Sequence, residues 1–330
     1  MKEVPLNTLY GIQYLRAAAA IAVVLFHAAE KLGYSFTIGA VGVDVFFVVS
    51  GFIMWVVAER RCPTPVSFLR GRIRRIVPVY WMATAVMIAG GVVGLFPNLR
   101  LSIGHVLASF LFVPARSPSN GEIWPVLVQG WTLNYEMFFY VVFAVALFLP
   151  RQWRFLAVGA LFAALVVVGQ MFSSDNLFLV TYTRPIILEF VAGMAVGILW
   201  LQRRVPGRLT AVLLVTAGIG GFALIHLLGL PFGTWTCGPL ATALVLGVVS
   251  LEASGVVARA ALPAFLGDAS YSIYLWHTFA ISVVAKLGMA AGIPMPALMV
   301  SAVATGILAG AIGYRVLERP TIRLWRQPAW

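Results

Sequence analysis

The stretch I-Q-Y-L-R-A-A-A-A-I-A-V-V-L-F-H-A-A, residues 12–29, decides the fold. It is almost wholly apolar, and as a helix it rises ~27 Å, close to the ~30 Å of a bilayer's hydrocarbon core. Arg16 interrupts the apolar run where a cleaved signal peptide carries no charge, so the stretch reads as a permanent membrane span. Arg16 and His27 stand eleven residues apart. At ~100° per residue that spacing is about three full turns, so both lie on one helix face, roughly 16 Å apart along the axis. One belongs near one membrane surface and the other near the opposite surface. Ionisable groups at membrane depth cost free energy and generally face a bundle interior or a wet cavity, where they mark a functional path. The plainer alternative is that Arg16 snorkels to a headgroup and His27 hydrogen-bonds inside the bundle.

Outward from this span, nine more apolar stretches follow, at about 40–58, 77–95, 131–149, 154–172, 184–201, 209–229, 233–250, 270–289 and 296–316. The chain is 61% hydrophobic and 10% charged, against about 25% charged residues in soluble globular chains. These features predict an all-α polytopic membrane helical bundle of about ten transmembrane helices, forming a single integral-membrane domain over residues 1–330. The net charge of +12 is no sign of a nucleic-acid partner here, because its distribution reports orientation. With the N-terminus in the cytoplasm, 17 of the 23 Lys and Arg fall on the cytoplasmic side, 5 on the other side, and Arg16 inside the membrane. Lys2 at one end and Arg315, Arg319, Arg323 and Arg326 at the other are among the 17. The positive-inside rule then places both termini in the cytoplasm of a multi-pass inner (cytoplasmic) membrane protein in contact with membrane lipid. Cys62 and Cys237 fall far apart in this topology and predict no disulfide. The four histidines form no zinc motif, and no metal site is expected. Segment 104–114 is too short to cross and is expected to lie re-entrant or flat at the outer surface. It belongs to the longest connection, about 97–130, which offers room for a bulky external substrate.

The topology assigns depths to the buried polar residues. His27, Asp44, Glu136 and Glu189 lie on four different helices, each within a few residues of the outer face. A histidine near carboxylates is what general-base chemistry requires, since the acid fixes the imidazole tautomer and stabilises the imidazolium. The alternative is a polar network that only joins helices. Near the cytoplasmic face, Arg16 adjoins a loop containing Arg70, Arg72, Arg74 and Arg75 interleaved with Phe68, Leu69, Ile73 and Ile76. That segment reads as a basic helix in the headgroup region, suited either to clamping phosphates or to anchoring on anionic lipid. Between the two layers, Tyr274 and His277 are helical neighbours three residues apart, fit to line a passage or to satisfy one another in the core. His105 and His226 have no comparable company and receive no role.

The chain resembles the integral-membrane acyltransferase 3 family, and within it the exopolysaccharide O-acetyltransferases. The matching stretches are L-R-A-A-A-A-I-A-V-V-L-F-H at 15–27, G-V-D-V-F-F-V-V-S-G-F at 42–52 and R-G-R-I-R-R-I-V-P-V-Y at 70–80. Two more follow, G-W-T-L-N-Y-E-M-F-F-Y at 130–140 and S-Y-S-I-Y-L-W-H at 270–277. The resemblance implies an acyl-CoA donor on the cytoplasmic side, acetyl-CoA in particular. It implies a carbohydrate hydroxyl as acceptor near the periplasmic side, on a polysaccharide or lipid-linked sugar. His27 matches the family's catalytic histidine, Arg16 its paired arginine, and the arginines at 70–75 its basic loop. Asp44 and Glu136 stand in the second and fourth motifs and are expected to orient His27. Trp131, Asn134 and Glu189 are candidate substrate-binding residues, and Tyr274 and His277 join the arginines as candidate donor-binding residues. On this reading His27 either deprotonates the sugar hydroxyl for direct attack or briefly carries the acetyl group. A transporter or flippase of an anionic or glycolipid substrate, and a non-catalytic partner in polysaccharide export, are the rival classes. The inverted repeats and paired broken spans frequent in transporters are not found in the sequence.

Overall fold

The computed structural model describes residues 9–324. Lys2 and Arg326, which contributed to the expected orientation, lie outside the described residues. Among those residues every regular element is helical. Eight helical segments are long and apolar enough to cross a membrane. They are Tyr10–Lys31, Thr37–Arg61, Pro65–Val92, Arg151–Met171, Arg208–Leu228, Thr234–Ala253, Ser270–Ala290 and Met295–Leu324. The two other expected spans are also helical but shorter, Gly130–Ala146 and Pro185–Leu201. The protein is thus an all-α, multi-pass membrane protein.

The principal helices are α1 (Tyr10–Lys31), α2 (Gly42–Arg61), α3 (Pro65–Val92), α4 (Ile103–Phe110), α5 (Gly130–Ala146), α6 (Arg151–Met171) and α7 (Leu177–Tyr182). They continue with α8 (Leu188–Leu201), α9 (Arg208–Leu228), α10 (Thr234–Ala253), α11 (Ala261–Asp268), α12 (Ser270–Ala290), α13 (Met295–Gly313) and α14 (Arg319–Leu324). They gather into two compact units, each discontinuous in sequence. One takes the chain up to Cys62 together with Glu189–Val316. The other takes Pro63–Leu188 and the described residues from Leu317 to Leu324.

In the first unit α1 packs against α2, α10, α11, α12 and α13. Its alanines make this possible, because a thin helix lets several neighbours approach closely. Ala17, Ala19, Ala20 and Ala28 are all buried. The first turn of α1 carries no acidic residue and no side-chain cap from its own sequence. Its free backbone N–H groups are met instead by Glu252 at the end of α10. The Glu252 carboxylate accepts from Tyr10 N at 2.7 Å and from Gly11 N at 2.6 Å. An anion on a helix N-terminus satisfies both the orphan donors and the helix dipole. Tyr14 then ties down the following loop, its hydroxyl donating to Ala258 O at 2.8 Å and accepting from Ala260 N at 2.6 Å.

In the second unit α3 packs on α4, α5 and α14, and α6 packs on α5 and α7. The sequence predicted a separate basic segment before the span at 77–95. The structure makes it the first turns of one 28-residue helix, Pro65–Val92. Thr64 begins it as a side-chain cap, its Oγ1 accepting from Ser67 N at 3.2 Å, with proline in the first turn. Pro78, where the expected boundary lay, is accommodated inside the helix. The outer connection is folded around the eight-residue α4. His105 donates from Nε2 to Trp124 O at 2.8 Å, and Tyr80 OH donates to Ser109 O at 3.1 Å. His105 therefore has a structural place.

Candidate active site

The 22-residue α1 carries both Arg16 and His27 without a break, as their spacing requires. Arg16 is buried and donates from Nη1 to Gln13 Oε1 at 2.9 Å, one turn earlier. His27 is half-buried. Its Nδ1 lies 3.1 Å from Glu30 Oε2, and the Glu30 side chain is 64% exposed. A carboxylate only accepts, so the hydrogen of this bond sits on Nδ1, and His27 Nε2 carries the lone pair when the ring is neutral. That is the arrangement of a general base whose tautomer is held by an acid.

Opposite His27 is His277 on α12, with ring centroids 5.2 Å apart. His277 is completely buried, and its Nδ1 is 2.9 Å from Ile273 O, one turn back along its own helix. Tyr274 follows with its ring centroid 6.3 Å from that of His277, and Phe46 meets Tyr274 edge-on at 6.2 Å. Small residues on α13 leave room for this group. A side chain on Gly306 would meet His277 Cβ at 3.4 Å, and one on Gly310 would collide with the backbone of Ile273. Residues 274 and 277, read from the sequence as passage-lining and donor-binding, thus lie beside the candidate base.

Asp44 and Glu189 come together elsewhere in the same unit. Each occupies the first turn of its helix, α2 and α8 respectively, and both are buried. The two carboxyl groups are electrostatic neighbours, and neither oxygen of Glu189 has a hydrogen-bond partner among the described residues. The register comes from reciprocal glycines. A Cβ on Gly193 would run into the α2 backbone at Val48 and Phe52, and one on Gly51 into the α8 backbone at Phe190. Residues 44 and 189 are each one turn before the Val48–Gly193 contact, so the shared depth expected from topology holds for this pair. The partner that the structure gives Asp44 is Glu189, whereas the acid on His27 is Glu30. The sequence expects Asp44 or Glu136 in that part. It passes over Glu30, although the three-residue spacing from His27 is a helical-neighbour signal. Its place at the very end of the span made it look like a surface charge.

The second unit holds the other expected residues. Trp131, Asn134 and Glu136 stand on the first two turns of α5. Trp131 is half-buried and meets Tyr135 edge-on at 5.8 Å. Asn134 is buried, and its Oδ1 has no hydrogen-bond partner among the described residues. Glu136 accepts a hydrogen bond from Tyr140 OH, one turn along. Of the arginines on α3, Arg70 is exposed and Arg72, Arg74 and Arg75 are half-buried. The Arg72 guanidinium sits 5.9 Å from the centre of the Phe68 ring. Among the described residues no group of three or more His, Cys, Asp or Glu is placed to hold a metal ion.

A membrane-embedded histidine with a carboxylate on Nδ1 and its lone pair free suits proton abstraction from a hydroxyl. Comparison with known proteins agrees on the class. The acyltransferase domain model of the acyltransferase 3 family matches residues 9–316, and the chain belongs to that family. The protein is 63% identical to "Exopolysaccharide production protein ExoZ" of Rhizobium meliloti (strain 1021), over 92% of this chain and 95% of the relative. It is 30% identical to "Putative membrane-bound transacylase BcsY" of Komagataeibacter xylinus, over 83% of the chain and 73% of the relative. It is 24% identical to "O-acetyltransferase OatA" of Staphylococcus aureus (strain NCTC 8325 / PS 47), over 94% of the chain and 56% of the relative. No solved structure matches it. The protein is a multi-pass membrane acyltransferase, and family membership leaves the flippase reading without support.

Proposed function

We propose that the protein is an O-acetyltransferase of the inner (cytoplasmic) membrane. It takes the acetyl group from acetyl-CoA on the cytoplasmic side and esterifies a hydroxyl of an exopolysaccharide, or of its lipid-linked precursor, on the periplasmic side. The observation that carries this reading is the His27–Glu30 pair at 3.1 Å, which leaves Nε2 of His27 as a base near the far end of the helix that begins beside Arg16. The name of the 63% identical relative supports the choice of acceptor. The basic turns of α3 and Arg16 support binding of a phosphorylated donor, because guanidinium groups pair bidentately with phosphate. His27 removes the hydroxyl proton as the oxygen attacks the thioester carbonyl, and Glu30 stabilises the imidazolium so formed.

The test uses purified protein, acetyl-CoA labelled in the acetyl group, and alkali-de-esterified exopolysaccharide of the producing bacterium. Label should enter the polysaccharide as an alkali-labile ester, with one CoA released per acetyl transferred. His27→Gln should reduce transfer by at least about 10³-fold while the protein still inserts and purifies. Absence of ester in the wild type, or near-normal turnover in His27→Gln, would overturn the proposal.

A further inference from the structure

Three hydrogen-bonding side chains gather in the second unit. Tyr135 stands on α5, Tyr182 ends α7, and Arg184 follows two residues later. The Tyr135 and Tyr182 rings meet edge-on with centroids 6.0 Å apart, and the Arg184 guanidinium is the charged neighbour of the Tyr135 hydroxyl. The surroundings hold the group in place. Phe138 stacks on Tyr182 at 4.2 Å, and Trp131 meets Tyr135 from the other direction along α5. Thr183, between Tyr182 and Arg184, is buried, and its hydroxyl donates to Leu179 O at 2.6 Å. It sits against Gly169 on α6, where a Cβ would collide with it. The chemistry of the group is one-sided. A guanidinium only donates and keeps its charge at every working pH. Burial, with Tyr135 close by, pushes the Tyr182 hydroxyl up to about 12, so it keeps its hydrogen as well. Arg184 is exposed, and among the described residues no carboxylate is paired with it. Membrane orientation does not account for its charge either. Arg184 is one of the 5 basic residues assigned to the periplasmic side, against 17 on the other, and the positive-inside rule concerns only the cytoplasmic loops.

We infer that Arg184, with the Tyr135 and Tyr182 hydroxyls, receives an anionic group carried by the glycan acceptor, either a sugar carboxylate or a phosphate of the lipid carrier. The inference rests on the acyl-transfer reading above and names the class of acceptor, an acidic glycan. Carboxylate and phosphate oxygens only accept hydrogen bonds, which complements a set of donors. A guanidinium meets either anion with two parallel hydrogen bonds, and a phenol hydroxyl suits a remaining lone pair. Both tyrosine rings are already fixed by their neighbours, so little side-chain freedom is lost when the anion docks. Trp131 is half-buried and offers an apolar face beside the tyrosines for the sugar ring. The anion takes no part in the acyl transfer. Its contacts are therefore equally strong in the ground state and the transition state. Such uniform binding lowers KM for the acceptor and leaves kcat alone. A neutral glycan makes no such contact and should bind more weakly while reacting at the same maximal rate.

The experiment is steady-state kinetics on the detergent-solubilised enzyme with labelled acetyl-CoA and three acceptors. These are the de-esterified exopolysaccharide, the same polysaccharide with its carboxyl groups reduced to alcohols, and the lipid-linked oligosaccharide extracted from the producing bacterium. Arg184→Gln should raise KM for an anionic acceptor about 10-fold, with kcat and KM for acetyl-CoA within about 3-fold of wild type. Arg184→Lys should recover part of the loss, because it keeps the charge and lacks the planar fork. Carboxyl reduction separates the two sources of the anion. If reduction raises the wild-type KM as much as Arg184→Gln does, and the variant is no worse than wild type on the reduced polymer, the anion is a sugar carboxylate. If reduction changes nothing and the variant is impaired only with the lipid-linked acceptor, the anion is the carrier's phosphate. An unchanged KM for all three acceptors in Arg184→Gln overturns the inference and leaves Arg184 as an interfacial anchor. An equal rise with the native and the carboxyl-reduced polysaccharide also overturns it, because a structural role does not discriminate acceptor charge. So does a loss confined to kcat or to KM for acetyl-CoA. A wild type that transfers no acetyl group at all overturns the acyl-transfer reading itself, a distinct outcome.

Discussion

At the residue scale the chemistry turns on which acid serves His27. Glu30 meets Nδ1 at 3.1 Å, and its side chain remains 64% exposed. An exposed carboxylate stabilises an imidazolium less than a buried one, since water screens the charge. Glu30→Gln keeps an acceptor for the Nδ1 hydrogen and removes only the charge. It should therefore lower kcat by about 10-fold, with KM for acetyl-CoA little changed, whereas Glu30→Ala should cost more by freeing the ring to rotate. Steady-state kinetics on the two variants measure this, and an unaffected kcat in Glu30→Ala would mean that His27 works without its carboxylate. What the sequence revealed here was the helix face shared by Arg16 and His27, because helical periodicity fixes it. It could not show that Asp44 would turn to Glu189, since that depends on how closely α2 and α8 approach. The tautomer of His277 was equally hidden, because it is set by a backbone carbonyl whose position only the folded helix defines.

At the scale of elements, the site is held by close helix contacts bought with small residues. Gly193 on α8 faces the α2 backbone at Val48 and Phe52, its would-be Cβ lying 2.8 Å from Phe52 N. Backbone cannot move aside as a flexible side chain can, so Gly193→Ala should force the helices apart at a cost of about 1–3 kcal/mol. Gly220 on α9 is the control, because a Cβ there meets nothing within 4 Å. Gly220→Ala should be neutral or stabilising by up to about 1 kcal/mol, since alanine is the better helix former. Thermal unfolding in a mild detergent should show a lower midpoint for the first variant and an unchanged or higher one for the second. Equal midpoints would mean that the α2–α8 contact is looser than drawn. Apolar run length made the ten spans legible as helices, two of which prove shorter than expected, and marked the segment around α4 as too short to cross. The start of α3 was not, because Pro78 and the arginines read as a boundary, whereas Thr64 and Pro65 begin one helix that carries both. Glu252 was illegible for another reason. It caps α1 from 241 residues away, and no local pattern encodes a cap supplied by a distant helix.

At the scale of the whole molecule, the proposed reaction has a direction that the architecture can be asked to demonstrate. The basic residues lie unevenly along the chain, 17 assigned to one side and 5 to the other, and such asymmetry orients a membrane protein with its basic loops in the cytoplasm. In the orientation proposed above, α1 begins at the cytoplasmic face, which puts His27, near the other end of that helix, on the periplasmic half. About 16 Å of helix separates His27 from Arg16. A donor held by phosphates at the inner face must therefore extend its thioester through part of the membrane, while the glycan need only reach the outer mouth. Sealed inverted vesicles containing the protein make this measurable, with the cytoplasmic face outward, labelled acetyl-CoA outside and de-esterified exopolysaccharide trapped in the lumen. Lumenal polysaccharide should become acetylated without any added transporter, and His27→Gln vesicles should give none. Right-side-out vesicles with the same external acetyl-CoA should also give none until made permeable, because the donor then faces the wrong side. Should only polysaccharide supplied on the same face as the CoA be modified, the crossing is wrong. The acyl transfer would then be an ordinary one-sided reaction, and Arg16 and the α3 arginines would need another explanation, anchoring to anionic lipid being the first to examine.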